Sequence, residues 1–172
     1  GDRLDALERV ADRDLAALPY SCGTTGMPKG VMLTHRNLVA NIDQANARMG
    51  LRPGDVVIGS LPFFHIFGMT VIMNMGLRNG AKIVTMPQFD LGQFLDLIEG
   101  HRATHLFIVP PIALALAKHP AVDGRDLASL RVVNSGAAPL GAELVRQVSE
   151  RIGCVVMQGY GLTETSPVTH CN

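Results

Sequence analysis

The sequence predicts an α/β fold in which a mostly parallel sheet is flanked by helices on both faces. Short apolar segments of strand length alternate with longer segments of helical periodicity between Asp55 and Gln158. Parallel strands need crossover helices, and strands buried on both faces are continuously apolar. Polar or glycine-rich turns follow several of these strands, at the sheet edge where open α/β sheets bind ligands.

The individual elements follow from periodicity and turn residues. Residues 2–18 fit one amphipathic helix or a collapsed entry segment, because leucines recur among charges. Thr34 is a suitable cap for a helix through Ala47, and Gly50 with Pro53-Gly54 prevents the helix from continuing. The other expected helices cover residues 68–77, 91–99, a segment that starts at Pro110, and 141–151. The expected strands cover residues 31–33, 55–58, 82–85, 105–109, 130–134 and 154–158.

Composition excludes several classes of protein. The chain has 172 residues, of which 47% are apolar and 17% charged, which disfavours disorder. Fifteen basic residues balance fifteen acidic ones, so no basic patch indicates nucleic acid, and no apolar run is long enough to predict a membrane span. The three cysteines are scattered, and His101 and His105 lack a third metal ligand nearby in sequence. A cytoplasmic protein is the simplest interpretation.

The segment from Tyr20 to Gly30 reads Tyr-Ser-Cys-Gly-Thr-Thr-Gly-Met-Pro-Lys-Gly. Glycines let backbone amides approach an anion, hydroxyls add donors, and a lysine adds a mobile positive charge. This mixture favours a polyphosphate site over an ordinary surface loop. The candidate phosphate-binding residues are Ser21, Cys22, Gly23, Thr24, Thr25, Gly26 and Lys29.

Two further motifs follow strands. In the turn after residue 134, three residues have almost no side chain: Gly136, Ala137 and Ala138. They suit a wall against which adenine or an acyl chain lies, although such turns also occur without function. In the segment Gln158–Glu164, Gly159 and Gly161 permit close approach of a ligand and Tyr160 offers a ring for a purine. Thr163 is placed to reach a phosphate, and Glu164 either binds Mg²⁺ or caps a helix.

Taken together, the three motifs resemble those of the adenylate-forming superfamily, which includes acyl-CoA ligases, luciferases and peptide-synthetase adenylation domains. The resemblance covers essentially the whole chain. Cys22 stands where the family usually has serine, threonine or another small residue. Members of the family are several times longer, so we expect residues 1–172 to form a single nucleotide-binding subdomain of their large N-terminal domain, with residues 1–18 as its entry segment.

The segment Leu61–Gly68 favours the acyl-CoA ligase branch. A histidine among aromatic residues is more often a core residue, but acyl-CoA ligases typically carry Pro-x-Phe-His-x-x-Gly here, and the resemblance implies that His65 orients the substrate carboxylate. The resemblance also implies an acid pocket bordered by Phe64, Phe67, Gly136, Gly161 and Pro167. No acidic residue occurs between Gly59 and Arg78, which disfavours an α-amino acid substrate because its ammonium group would lack a counter-charge.

The resemblance implies a reaction. A carboxylate attacks the α-phosphorus of MgATP, pyrophosphate leaves, and CoA then displaces AMP from the acyl-adenylate. The resemblance assigns catalytic roles to four residues, Lys29, His65, Thr163 and Glu164. It assigns nucleotide contacts also to Gln158, Gly159 and Tyr160. It assigns Mg²⁺ binding to Glu164. Aromatic and aliphatic acids both fit.

The motifs also fit two other classes of protein. The alternatives are another adenylating enzyme, such as a fatty acyl-AMP ligase or a peptide-synthetase domain, and a non-catalytic nucleotide-binding module. The ribose-binding aspartate, the hinge and the C-terminal lysine of the family are absent, so we expect residues 1–172 alone not to complete the reaction. Uncovered apolar edges are expected to favour self-association.

Overall fold

A computed structural model describes residues 11–21 and 26–172. The first part of the expected entry segment, and the phosphate-loop residues Cys22, Gly23, Thr24 and Thr25, lie outside the described residues. Among the described residues, no helix combines the length and the apolar character that crossing a membrane requires.

Ten strands and five α-helices are described. The strands are β1 (Leu15–Ala17), β2 (Tyr20–Ser21), β3 (Lys29–Gly30), β4 (Leu33–Thr34), β5 (Val56–Gly59), β6 (Lys82–Thr85), β7 (His105–Ile108), β8 (Val132–Ser135), β9 (Val155–Gly161) and β10 (Val168–Cys171). The α-helices are α1 (His35–Met49), α2 (Met75–Arg78), α3 (Leu91–His101), α4 (Pro110–Lys118) and α5 (Ala142–Ile152). A π-helix, Phe67–Asn74, precedes α2, and short 3₁₀-helices cover Pro120–Val122 and Thr163–Thr165.

Six strands form one sheet in the order β10-β9-β8-β7-β5-β6. Every pair from β9 to β6 is parallel, and only β10 is antiparallel to its neighbour. β6 lies on one side of β5 and all later strands lie on the other, so the direction of winding reverses between β5 and β7. The mostly parallel sheet that the sequence predicts is therefore confirmed.

Alternation along the strands explains why both faces of the sheet are covered. Val57 and Phe107 join an apolar cluster with α1 and the π-helix on one face. Ile58, Leu106 and Val133 join a larger cluster with α3, α4 and α5 on the other face. All five of these side chains are fully buried, so neither face of the central strands meets water.

The helix α1 begins where the sequence predicts. The Thr34 hydroxyl accepts a hydrogen bond from the backbone N–H of Asn37, and the side-chain oxygen of Asn37 accepts one from the backbone N–H of Thr34. Two backbone N–H groups at the helix start, which have no partner within the helix, are thereby hydrogen-bonded. At the other end Gly50 adopts a left-handed conformation with φ of 71° and donates to Asn46. α1 therefore ends two residues beyond the position expected from the sequence.

The entry segment differs from the expectation. Residues 15–17 form β1, which pairs antiparallel with β4, instead of continuing a helix to residue 18. Leu15 and Leu18, which suggested an apolar helix face, are 45% and 51% exposed, while Ala16 and Ala17 pack against the cluster around Leu33. Strand pairing and this packing thus override the helical periodicity.

Three other elements also depart from the sequence-based expectation. The strand expected at 31–33 is replaced by β3 and β4, which pair with two different partners, β2 and β1. The helix expected over 68–77 begins with π-helical turns. β9 continues to Gly161, three residues past the expected end at 158, because β10, which the sequence did not predict, pairs with its last residues.

A buried polar cluster lies at the edge of the sheet where β5, β7 and β8 begin. Asp55 accepts hydrogen bonds from the Thr104 hydroxyl, the Arg52 amide and the Arg131 guanidinium. The His105 ring is buried beside it, with Nδ1 3.0 Å from the Thr104 hydroxyl and 3.8 Å from Asp55. Burial lowers the pKa of His105; the Asp55 carboxylate opposes this shift and Arg131 adds to it. The His101 ring instead contacts the Lys82 ammonium group, so His101 and His105 do not share a partner.

The lowered pKa of His105 predicts that stability falls in mild acid. The unfolded chain takes up a proton near the ordinary value of 6.5, whereas the folded chain does so only at lower pH. The free energy of unfolding should therefore be level above neutral pH and fall as the pH drops below 6.5, by at most about 1.4 kcal/mol per pH unit from this group. Urea unfolding across pH 5–8 measures this, and His105→Gln should flatten the profile whereas His101→Gln should not.

Candidate active site

A cavity of about 500 Å³ opens at the carboxyl edge of the sheet. Segments that are far apart in sequence contribute to it: β2, the end of α1, the turn after β5, the ends of β8 and β9, and the start of β10. Its lining residues are Tyr20, Ser21, Met49, His65, Ile66, Phe67, Asn134, Gly136, Ala137, Gly159, Tyr160, Gly161, Leu162, Thr163, Glu164, Pro167 and Val168.

One wall is the turn after β8. A Cβ atom at Gly136 would lie 3.0 Å from the Phe67 ring, so glycine lets the turn lie directly against this aromatic side chain. The next residue, Ala137, has a φ of 69°, a left-handed conformation that is unusual for alanine. The structure therefore brings the predicted residues Gly136, Ala137 and Phe67 to one surface, while Ala138 lies outside the lining.

A second wall is the end of β9 and the 3₁₀-helix after it. A Cβ atom at Gly161 would overlap the Pro167 carbonyl oxygen, so only glycine permits the approach of these two backbone segments. The Thr165 hydroxyl bonds the Leu162 backbone and the Pro167 carbonyl, which closes the turn. Thr163 and Glu164, which the sequence predicts to contact phosphate and metal, lie in this turn and line the cavity.

A buried asparagine that sequence reasoning missed holds this turn in place. The Asn41 amide donates to the carbonyls of Val168, at 2.7 Å, and Thr165, and its oxygen accepts from the Val168 amide. Asn41 belongs to α1 and is 5% exposed. The available signal was its position between Leu38 and Ile42, whose buried side chains mark the apolar face of α1.

His65 lies after β5 with its ring at the cavity. Its Nδ1 accepts a hydrogen bond from the Phe67 amide at 3.2 Å, so the neutral ring carries its proton on Nε2. That N–H is the donor that the side chain offers to a ligand. Phe64, which was also predicted for the pocket, is instead 87% exposed and outside the lining.

The two ends of the glycine-rich loop meet next to the cavity. β2 and β3 pair antiparallel, with Ser21 opposite Lys29 and Tyr20 opposite Gly30, and β2 contacts the Thr163–Thr165 helix. Ser21 is buried and lines the cavity, whereas Gly26 and Lys29 are exposed and lie outside the lining. The pairing therefore anchors both loop ends close to the turn that carries Glu164.

Two other predicted nucleotide contacts have different surroundings. Gln158 uses its side-chain oxygen to accept a hydrogen bond from the Leu140 amide at 2.9 Å, which ties the turn after β8 to β9. Tyr160 lines the cavity, is 61% exposed, and has its ring centroid 6.2 Å from that of His170. The open ring of Tyr160 is thus available to a purine, whereas the Gln158 side chain serves the scaffold.

A model of the AMP-binding enzyme family matches residues 3–172 of the chain. The chain belongs to the AMP-binding enzyme family. It is 50% identical to 4-coumarate–CoA ligase 1 of Oryza sativa subsp. japonica over 98% of its own length and 30% of that relative. It is 46% identical to 4-coumarate–CoA ligase 3 of Arabidopsis thaliana over 92% of its length and 29% of that relative. The chain thus spans about 30% of the length of these relatives.

Solved structures agree with the family assignment. ATP-bound MatB from Rhodopseudomonas palustris superposes with a TM-score of 0.86 at 37% identity, covering 96% of this chain and 32% of MatB. A long-chain-fatty-acid–CoA ligase from Archaeoglobus fulgidus superposes with a TM-score of 0.84 at 32% identity, covering 92% of this chain and 33% of that enzyme. The family resemblance predicted from the motifs is therefore confirmed.

The close approach at Gly161 predicts a large effect of one methyl group. Gly161→Ala should lower the free energy of unfolding by about 2 kcal/mol or more, because the new methyl group must separate two backbone segments. Gly100→Ala is the matched control, since Gly100 lies in α3 with open space around it, and alanine there should be neutral or stabilising. Urea unfolding measures both; equal stability of the two variants would contradict the assigned packing.

Proposed function

We propose that this chain is the nucleotide- and acid-binding subdomain of an acyl-CoA ligase. The complete enzyme converts a carboxylic acid and ATP to an acyl-adenylate and pyrophosphate, and then transfers the acyl group to CoA with release of AMP. The observation that carries the proposal is the meeting of His65, the wall at Gly136, and the turn at Thr163 and Glu164 around one cavity. Family membership and the similarity to CoA ligases support it.

The mouth of the cavity suits the triphosphate. The Ser21 hydroxyl and the Thr163 hydroxyl line it, and the anchored glycine-rich loop begins next to Ser21. The backbone of Lys29 pairs with Ser21 across the hairpin and the residue is exposed, so we assign its ammonium group to the charge of the departing pyrophosphate. Preorganised donors of this kind stabilise charge that develops on phosphate oxygens.

The carboxylate of Glu164 fits Mg²⁺. It is exposed, it lines the cavity beside the Thr163 hydroxyl, and it is the only acidic side chain in the lining contributed by the described residues. Magnesium in nucleotide sites takes one or two carboxylates and fills its remaining positions with water and phosphate oxygens. Glu164 would hold the ion, which would supply positive charge against the phosphate oxygens. The Thr163 hydroxyl would donate to the α-phosphate.

The acid is oriented by His65. With Nδ1 held by the Phe67 amide, Nε2–H donates to a carboxylate oxygen and leaves the other oxygen to attack phosphorus. The buried ring of Phe67 and the surface of Gly136 then contact the body of the acid and keep water from the reacting groups. Glu164 is the only acidic side chain in the described part of the lining, and we assign it to the metal. An α-ammonium group would therefore lack a counter-charge, and we propose a substrate without an α-amino group.

The first test is carboxylate-dependent exchange of pyrophosphate into ATP, measured on the full-length polypeptide that contains this chain. We expect exchange with aromatic or aliphatic carboxylic acids, little with amino acids, and formation of a thioester when CoA is added. A folded protein that binds ATP but supports no exchange with any acid would contradict the proposal. Exchange without thioester formation would instead indicate an acyl-AMP ligase.

Replacement of the metal ligand tests the role of Glu164. Glu164→Gln removes the charge but keeps the shape, so we expect exchange to fall by about 100-fold and half-saturation to need more Mg²⁺. Glu143→Gln is the control, because Glu143 is an exposed carboxylate on α5 that pairs with Arg146, outside the cavity. An unchanged magnesium requirement in Glu164→Gln would refute the metal assignment.

Replacement of the histidine tests the orientation of the acid. His65→Ala removes the Nε2 donor, and we expect kcat/KM for the acid to fall by about 10- to 100-fold. ATP affinity, measured by calorimetry in the absence of acid, should stay within about two-fold of the parent protein. A loss of ATP affinity as large as the loss of acid turnover would instead place His65 at the nucleotide.

A further inference from the structure

The turn that carries the carboxylate assigned to the metal has few bonds of its own. Glu164 is exposed and lies in a 3₁₀-helix of three residues, Thr163–Thr165. Two hydrogen bonds within the backbone close this turn, at 3.0 Å and 3.4 Å. Short 3₁₀-helices have poor hydrogen-bond geometry and are weak. The position of the Glu164 carboxylate therefore depends on groups outside the turn.

The next residue, Ser166, indicates that outside groups hold this turn. Ser166 is buried and has a φ of 79°, a left-handed conformation that favours glycine. A backbone of this kind persists only where surrounding contacts fix it. Asn41 on α1 supplies such contacts, because its side chain makes three hydrogen bonds to the backbone of Thr165 and Val168, on either side of Ser166.

Asn41 holds the chain directly behind the proposed metal ligand. Thr165 follows Glu164 immediately, and Val168 begins β10. The amide group supplies both donors and an acceptor, a combination that neither a carboxylate nor an apolar side chain offers. Asn41 is buried and does not line the cavity. Any effect of Asn41 on a ligand is therefore exerted through the turn that carries Glu164.

The same helix is joined to the glycine-rich loop. β3 and β4 lead from Lys29 into α1 at His35, and the reciprocal hydrogen bonds of Thr34 and Asn37 fix the start of the helix. Asn41 lies six residues beyond His35, about 9 Å along the helix axis. One helix thus connects the loop assigned to the triphosphate with the turn assigned to Mg²⁺, and Asn41 is the contact that joins the turn to this helix.

We propose that Asn41 is a positioning residue for magnesium, which fixes the Glu164 carboxylate relative to the glycine-rich loop. The inference rests on the proposed function. Magnesium requires near-ideal octahedral geometry, so a small displacement of its carboxylate ligand relative to the phosphates weakens binding. Loss of the Asn41 amide should therefore weaken the contribution of the metal, although it removes neither a metal ligand nor a phosphate donor.

The test measures ATP binding to the full-length polypeptide by calorimetry, once with Mg²⁺ and once with EDTA. We expect Mg²⁺ to tighten ATP binding by about 10-fold or more in the parent protein. In Asn41→Ala this ratio should fall to within about three-fold, while the affinity for metal-free ATP stays within about two-fold of the parent value. The ratio of two affinities in one variant is insensitive to partial loss of folded protein.

A double variant distinguishes positioning from a general loss of packing. If Asn41 acts through Glu164, its removal adds little once Glu164→Gln has already removed the charged ligand. The Mg²⁺ concentration for half-maximal pyrophosphate exchange should then agree within about two-fold between Glu164→Gln and the double variant Asn41→Ala/Glu164→Gln. Two independent effects would instead multiply, and that result would contradict the proposed role of Asn41.

Asn46→Ala is the matched control. Asn46 lies on the same helix, and its amide also makes three hydrogen bonds, to Leu51 and Asn79, outside the cavity. This variant should lose stability yet keep the parent ratio of ATP affinities. An equal fall of the ratio in Asn46→Ala would show that Asn41 has no particular connection to the metal.

Thr165→Val replaces Asn41→Ala as the test if the latter does not fold. The Thr165 hydroxyl closes the turn onto Leu162 and Pro167, and valine keeps the shape of the side chain without the hydroxyl, so the ratio should fall here too. A parent-like ratio in the variant that folds would overturn the inference. If Mg²⁺ does not tighten ATP binding in the parent protein, the assignment of Glu164 to the metal fails, and this inference fails with it. If MgATP binds but no acid supports exchange, the proposed function fails and the calorimetric ratios alone decide the role of Asn41.

Discussion

The site depends most on the contact between α1 and the backbone that follows β9. Asn41 makes three hydrogen bonds to Thr165 and Val168, and no apolar side chain could replace them. These bonds hold the start of β10 beside the end of β9, which in turn positions the turn that carries Thr163 and Glu164. Because Asn41 is buried, its removal would leave backbone groups without partners as well as loosen the turn. A helix far away in sequence therefore determines the geometry of the phosphate end.

The cavity is lined by the turns after β5, β8 and β9, so it spans the point between β5 and β7 where the winding of the sheet reverses. Open α/β sheets usually bind ligands at such a reversal. Here α4 begins directly after β7 with Pro110 and Pro111, so two of its first amides have no hydrogen to offer an anion. The turns after β5, β8 and β9 remain open and carry His65, Gly136 and Glu164. The polar groups of the lining therefore come from these turns and not from the start of α4.

Sequence reasoning located the elements whose cause is local. The central strands and the helices α1, α3, α4 and α5 follow from runs of apolar residues, helix caps and Gly50, all of which act within a few residues. The errors share a different cause. β1 and β10 exist because they pair with β4 and β9, and pairing between distant segments leaves little trace in local pattern. Motifs similarly indicated Gly136, Thr163 and Glu164, whereas the partners of Asn41 are 124 and 127 residues away and no local motif indicates them.

The two ends of the cavity make different physical demands on a substrate. Around His65, Thr163 and Glu164 the side chains are partly exposed, so charge there is solvated and phosphate and carboxylate groups can enter at low cost. Around Asn134, Phe67 and Met49 the walls are buried and mostly apolar, so each unpaired polar atom is expensive. The exposed end therefore suits the charged groups of a ligand. At the buried end a polar atom of a ligand is tolerated only where a group of the wall forms a hydrogen bond with it.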